Sequence, residues 1–323
     1  MTEDDLIARY FKPLAGPGAL GLEDDAALLP ASADGLVVTT DALVAGVHFF
    51  ADDPPGAIAK KALRVNLSDL AAKGAEPLGF QLALALPRGW TPAWLEAFAA
   101  GLGEDARAFA CPLLGGDTVA TPGPLTLSIT ALGRAPAGRF VPRTGARVGD
   151  ALYVTGTIGD AALGLVLRRD PALAARLSAS SRAFLLERYL LPRPQLALAP
   201  ALRDHAHGAM DVSDGLAGDL AKFARASGVG ASVDLPRVPL SPAARELIAL
   251  DAVLFDTALT GGDDYEILCT AAPEAETFRQ AAEAAGIALT KIGVVSPAAD
   301  GVAFRDFEKR ERKFKRLSFD HFR

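Results

Sequence analysis

Eight aspartates stand where apolar runs give way to glycine or hydroxyl residues: Asp24, Asp25, Asp41, Asp69, Asp117, Asp211, Asp214 and Asp263. No other feature constrains the fold as tightly. Carboxylates at the ends of buried elements are costly unless the architecture gathers them around cations or hydrogen-bond donors. Each one alone reads as a turn or a helix cap. Together they favour a shared site of oxygen ligands, which suits hard cations such as Mg²⁺ and the phosphates that bind with them. The stretch VVTTDALVAGVHFF (37–50) shows the pattern best. Its apolar, β-branched start predicts a buried strand with Thr39, Thr40 and Asp41 at its end and His48 in the segment that follows. A strand closed by an Asp-capped turn is the competing reading.

The bulk properties limit what such a site can serve. At 323 residues, half of them hydrophobic, the chain has room for two domains or one large one. A net charge of -6 argues against a sequence-independent nucleic-acid or membrane-surface binder. An anionic ligand remains compatible, because metal ions neutralise carboxylates and phosphates alike. The acidic start MTEDDLIARYF lacks an apolar signal core, and no apolar run approaches the length of a membrane span, so a cytoplasmic protein is expected. Cys111 and Cys269 lie far apart inside apolar runs, and no CxxC occurs, which predicts buried thiols rather than zinc or a disulfide.

Strand-like and helix-like segments alternate, as in an α/β protein. Helices are expected over 2–14 (Thr2 as N-cap), 57–72, 90–110, 159–167, 178–190, 194–206, 216–227 and 273–286. Strands are expected over 79–86, 125–132, 151–155, 209–212, 265–270 and 289–295. Leu113–Leu114 reads as a strand running into a glycine turn that presents Asp117. The Arg-, Gly- and Pro-rich stretch 134–148 marks a boundary, giving domains 1–148 and 149–323. The GxGxxG match at Gly16, Gly18 and Gly21 follows a helix rather than a strand, so it is a loop and no dinucleotide fingerprint. The tail 308–316 is strongly charged and reads as a solvated segment. Asp69 precedes Asp117 by 48 residues and Asp214 precedes Asp263 by 49, an echo that a duplicated half-molecule would produce.

Neither a Walker A pattern nor the protein-kinase loop and HRD motif occurs, so any ATP chemistry here uses another fold. Phosphoryl transfer needs alignment and charge neutralisation more than covalent help. The absence of an obvious Ser-His-Asp or Cys-His pair is therefore no obstacle. Arg143 can supply a fixed positive charge to phosphates, or it is a surface-loop arginine.

In order, the chain contains EDDAALL (23–29), TTDALVAGVHF (39–49), NLSDLAAKGAEP (66–77), GGDT (115–118), RTGARVGD (143–150), YVTGTIGDAALGL (153–165), DVSDGLAGDL (211–220) and TGGDDYEIL (260–268). This ordered set closely resembles the thiamine-monophosphate kinases of the aminoimidazole-ribonucleotide (AIR) synthetase-like, or PurM-like, superfamily. The resemblance implies ATP-dependent phosphorylation of thiamine monophosphate to thiamine diphosphate, with several Mg²⁺ ions and a homodimer. It implies two α/β domains, the N-terminal one a mixed sheet that forms a barrel-like dimer interface. By motif, Asp25, with Asp24 a weaker neighbour, Thr39, Thr40, Asp41, Asp69, Asp117, Asp211 and Asp214 correspond to metal ligands. Gly116, Arg143 and Ser213 correspond to ATP contacts, and His48, Asp263 and Phe319 to contacts with the thiamine substrate.

Three positions depart from the family pattern. Glu23 replaces a glycine, Asp263 replaces a glutamate and is shorter by one methylene, and Arg64 stands where a small or apolar residue is usual. The alternatives that resemblance leaves open are another ATP-using superfamily member, such as AIR synthetase, or a non-catalytic Mg²⁺- and nucleotide-binding homologue. No cysteine precedes Cys111 and none ends the chain, which separates it from selenophosphate synthetase and from the hydrogenase-maturation protein.

Overall fold

A four-stranded and a six-stranded sheet organise the chain in a computed structural model that describes residues 3–22, 29 and 32–318. Thr2, Glu23, Asp24, Asp25 and Phe319 lie outside the described residues. Two units divide the chain: Met1–Leu70 with Ala75–Gly138, and Ala71–Gly74 with Arg139–Arg323.

In the first unit, α1 (Glu3–Leu6) runs into a π turn and a 3₁₀ turn ending at Leu14, so the expected helix is present in three short pieces. Then follow β1 (Gly35–Val44), α2 (Pro55–Ala72), β2 (Glu76–Pro87), α3 (Pro92–Ala108), β3 (Leu113–Thr121) and β4 (Thr126–Ala135). The sheet order is β1-β4-β2-β3, with β2 and β3 parallel and the other pairs antiparallel. This is the mixed sheet the resemblance implies; among the described residues it is open, with β1 and β3 as its edges, and no barrel closes within one chain. The parallel β2–β3 pair needs a crossover, which α3 supplies. Thr91 starts that helix by accepting from the Trp94 amide at 3.2 Å, with Pro92 in the first turn. Along α2, Ile58, Ala62, Leu63, Leu67 and Leu70 are fully buried, the helical spacing of a core-facing stripe.

Two expectations for this unit are corrected. β1 is neither buried nor finished at Asp41: it continues to Val44, and Leu36 and Val38 remain 59% and 57% exposed. Among the described residues it pairs on one side only, so the β-branched run that suggested a buried strand belongs to an edge. Likewise Gly115–Gly116–Asp117 is no turn, because β3 runs through it paired to Gln81, Leu82 and Ala83.

The second unit holds β5 (Ala151–Thr155), α4 (Asp160–Arg169), α5 (Pro171–Ala174), α6 (Ala179–Leu190), α7 (Ala199–His205), β6 (Ala206–Val212) and α8 (Leu216–Ser227). It continues with β7 (Gly230–Asp234), α9 (Pro242–Leu250), α10 (Leu254–Thr260), β8 (Glu266–Ala271), α11 (Glu276–Ala284), β9 (Leu289–Ser296) and β10 (Val302–Arg305). Its sheet order is β10-β7-β9-β5-β8-β6, with only β10 and β7 parallel. Side chains alternate across the central strands and build two cores. Leu152, Val154, Val212 and Leu268 join Leu220 and Phe223 of α8, while Tyr153, Ile267 and Cys269 join Leu202 of α7 and Phe278 of α11. Both cysteines are free and buried as expected, and burial pushes the Cys111 thiol up to about 12. The segment 306–318 is mostly exposed and largely irregular.

Candidate functional site

β1 and α2 bring the first group of candidate ligands together. The Thr39 hydroxyl donates to Asp69 Oδ2 at 2.5 Å, joining the middle of the strand to the last turns of the helix. Strand alternation then places Asp41 on the same face as Thr39 and turns Thr40 to the other. Thr40 belongs to a hydroxyl ladder with β4, donating to the Ile129 carbonyl at 3.1 Å and accepting from Thr130 at 3.1 Å. Asp41 is fastened through its carbonyl, which accepts from the Ser128 hydroxyl at 3.1 Å.

His48 lies in the tight loop after β1. Its Nδ1 accepts the Val44 amide at 3.0 Å, and its carbonyl accepts from the Lys61 ammonium at 3.1 Å. An Nδ1 that accepts leaves the proton of the neutral ring on Nε2, so the Nε2 edge of the imidazole is a donor. Gly116 has a reason to be glycine within its own sheet: a Cβ there would sit 2.0 Å from the Leu82 carbonyl oxygen. Asp117, next along β3, is exposed.

Arg64 finds its explanation here. Its guanidinium makes a fork with the Asp105 carboxylate, at 2.5 and 2.9 Å, and lies 5.6 Å over the Phe109 ring. The pair ties α2 to α3 and so holds the helix that carries Asp69. A small or apolar residue could not make that tie.

In the second unit, two of the sequence motifs are neighbours. The Asp263 amide donates to the Ser213 carbonyl at 2.8 Å, and the Tyr265 amide to the Val212 carbonyl at 2.8 Å. The segment 261–265 therefore lies along Asp211–Asp214, with Asp211 at the end of β6. Gly262 permits this approach, since a Cβ there would meet the Ser213 carbonyl oxygen at 2.3 Å. The Ser213 and Asp214 amides both donate to the buried Asp219 carboxylate, at 2.9 and 2.8 Å. Lys222 bridges Asp214 and Asp219. Burial opposes charge on Lys222, but its hydrogen bonds to the two carboxylates outweigh that and raise its pKa. Burial pushes the Asp219 carboxyl up, against the pull of Lys222. Arg143 is exposed in a 3₁₀ turn whose carbonyl accepts from Ser227 at 2.8 Å.

Beneath segment 261–265 lies a polar network that sequence reasoning missed. Asp264 is fully buried and accepts the Gly159 and Ala161 amides, at 2.7 and 3.3 Å, at the start of α4. Glu266 accepts from Thr155 at 2.7 Å, Gln195 at 2.8 Å and Arg188 at 2.9 Å. Burial pushes both carboxyls up, Asp264 well above the ordinary range. The partners lie 71 to 111 residues away along the chain, so no local pattern exposes them.

The echo between the halves is not matched locally. Ser68–Asp69 lies inside α2, whereas Ser213–Asp214 lies in the bend between β6 and α8. Among the described residues, no three His, Cys, Asp or Glu side chains converge as a metal cluster. The candidates nonetheless supply only carboxylate and hydroxyl oxygens, the donor set that fits Mg²⁺, and Thr39 and Asp69 are already held together. Among the described residues, no helix is long and apolar enough to cross a membrane.

The fold and these motifs coincide with a known class. Residues 23–135 match the AIR synthase related protein N-terminal domain, and residues 147–306 match the C-terminal domain of the same class. The thiamine-monophosphate kinase of Caulobacter vibrioides is 48% identical over 299 residues, covering 90% of this chain and 83% of that protein. The crystal structure of thiamine-monophosphate kinase from Stenotrophomonas maltophilia K279a is 42% identical, covers 93% of this chain and 94% of its own, and superposes with a TM-score of 0.83. AaThiL complexed with AMPPCP and TMP superposes with a TM-score of 0.78 at 29% identity, covering 93% of this chain and 91% of that one. Among the AIR synthase related proteins, this chain belongs to the thiamine-monophosphate kinase family.

Proposed function

We infer that the protein transfers the γ-phosphoryl group of ATP to thiamine monophosphate, yielding thiamine diphosphate and ADP, the last step of thiamine diphosphate biosynthesis. The observation that carries this is the near full-length likeness to thiamine-monophosphate kinases, AaThiL complexed with AMPPCP and TMP among them. The transfer is direct and in line. An oxygen of the acceptor phosphate forms the new bond to the γ-phosphorus as the bond to the ADP oxygen breaks, and the electron pair leaves with ADP.

Mg²⁺, present as several ions, would draw its ligands within the first unit from Thr39, Thr40, Asp41, Asp69, Asp117, Asp25 and Asp24, and within the second from Asp211 and Asp214. When bound it neutralises the charge that builds on the phosphate oxygens. Support for these roles is the oxygen-only donor set and the Thr39–Asp69 hydrogen bond. Thr40 is the least suited, since its hydroxyl serves the β4 ladder. Gly116, Arg143 and Ser213 would contact ATP. His48 would meet the thiamine substrate through its Nε2 proton, alongside Asp263 and Phe319. Residues 1–148 would form the ATP- and Mg²⁺-binding dimerisation domain and 149–323 its C-terminal companion. A homodimer is supported by the apolar Leu36 and Val38 exposed on edge strand β1, and Val119 on β3. We place the enzyme in the cytoplasm, with neither nucleic acid nor membrane as partner.

Incubation with ATP, Mg²⁺ and thiamine monophosphate, followed by chromatography, is expected to show thiamine diphosphate and ADP in equal amounts. No binding of thiamine monophosphate would refute the reading. Binding without product would refute the kinase activity and leave a binding protein.

A further inference from the structure

Asp263 and Tyr265 both adopt left-handed backbone conformations, with φ of 75° and 52°, and they flank the fully buried Asp264. Aspartate visits this region at some cost and an aromatic residue at more, so two such residues one position apart persist only where the surroundings over-determine them. The surroundings here come from three directions. The Asp264 carboxylate is pinned by the amides that open α4. The Asp263 and Tyr265 amides are pinned to the Asp211–Asp214 segment. From below, Arg188 of α6 reaches the same segment twice, donating to the Asp264 carbonyl at 3.3 Å and to the Glu266 carboxylate at 2.9 Å.

Arg188 is an expensive way to fasten a loop if stability were the only purpose. It is 3% exposed, and its Nη1 has no hydrogen-bond partner among the described residues. Well-packed apolar side chains commonly replace a buried ion pair at little loss of stability, or with a gain. What an apolar side chain cannot do is donate to a backbone carbonyl and a carboxylate at once, as the Arg188 Nη2 does. We propose that Arg188 is a positioning residue: through the Asp264 carbonyl and Glu266 it holds the strained Asp263–Tyr265 segment so that Asp263 is presented to the thiamine monophosphate acceptor. The proposal rests on the kinase reading and on Asp263 as an acceptor contact. It adds a residue that touches no substrate.

Steady-state kinetics with each substrate varied in turn tests this on the full-length protein. Arg188→Met is expected to raise KM for thiamine monophosphate at least tenfold while KM for ATP stays within twofold. Arg188→Lys, which keeps a charged nitrogen able to donate twice but on a shorter stem, should recover part of the loss. Gln195→Leu removes a second partner of Glu266 and should give a smaller rise, about threefold, for the acceptor alone. If Arg188→Met does not fold, as judged by near-ultraviolet circular dichroism, the lysine and leucine variants carry the test. An acceptor KM unchanged in the folded variants, or KM values for both substrates rising together, overturns the positioning role. A wild-type protein that does not phosphorylate thiamine monophosphate overturns the kinase reading itself, an outcome distinct from any of these.

Discussion

Replacing Asp105 by alanine should unfasten α2 from α3. The Arg64–Asp105 fork has side-chain exposures of 17% and 4%, so it behaves as a buried pair rather than a surface one. Removing one partner leaves a guanidinium in a site where water reaches it poorly, a loss of about 3–5 kcal/mol. An exposed pair would lose only about 0.2–1 kcal/mol. At roughly 2–4 °C per kcal/mol, the first unit should melt roughly 6–20 °C lower. The chain's two tryptophans, Trp90 and Trp94, stand just before and at the start of α3, so urea unfolding followed by tryptophan fluorescence reports on this unit selectively. The paired replacement Arg64→Leu with Asp105→Leu should recover most of the stability, because it leaves no uncompensated charge. A loss below about 1 kcal/mol for Asp105→Ala would refute the claim that the pair is buried and clamps the helices.

Three other outcomes are expected. Asp41→Asn should lower kcat at least a thousandfold with an unchanged circular dichroism spectrum; an active variant with ordinary Mg²⁺ dependence would contradict the ligand assignment. His48→Ala should raise KM for thiamine monophosphate more than tenfold and leave nucleotide binding by calorimetry within twofold, and the reverse pattern would remove His48 from the acceptor site. The third concerns pH. The folded-state pKa of Asp264 is raised above its unfolded value by burial, so the native state holds that proton more firmly and loses stability as pH rises from about 4 through the raised value. Asp264→Asn should flatten this part of the stability–pH curve, measured as urea midpoints between pH 5 and 8; equal slopes in the two proteins would show that the carboxyl is not the group responsible.

Much of this fold was legible because its elements carry local signals. Thr91–Pro92 opens α3 and Ser178 caps α6, side-chain chemistry that acts within three residues. The Ser241–Pro242 start of α9 carries the same signal, and Ala243, Ala244 and Leu247 bury one face of it, yet α9, α10, β7 and β10 were not read from the sequence. β1 was misjudged for a different reason. An edge strand and a buried strand can share the same β-branched run, and only the pairing tells them apart. The candidate acids were picked out by their settings, while the residues that surround them were not. Arg64 pairs with a residue 41 positions on, Glu266 draws on three distant residues, and Lys222 neutralises Asp214 from the second turn of a helix. Such partners are chosen by three-dimensional packing, and residue type alone does not announce them.

The position of Thr39–Asp41 on an edge strand has a bearing on measurement. Among the described residues β1 is paired with β4 alone, so its outward amides should exchange with deuterium sooner than those of β4, which is bonded on both sides. A cation gripped by Thr39 and Asp41, or a second chain laid along β1, would slow that exchange. The amides of one ten-residue strand thus form a natural reporter of occupancy and of assembly, readable without any turnover.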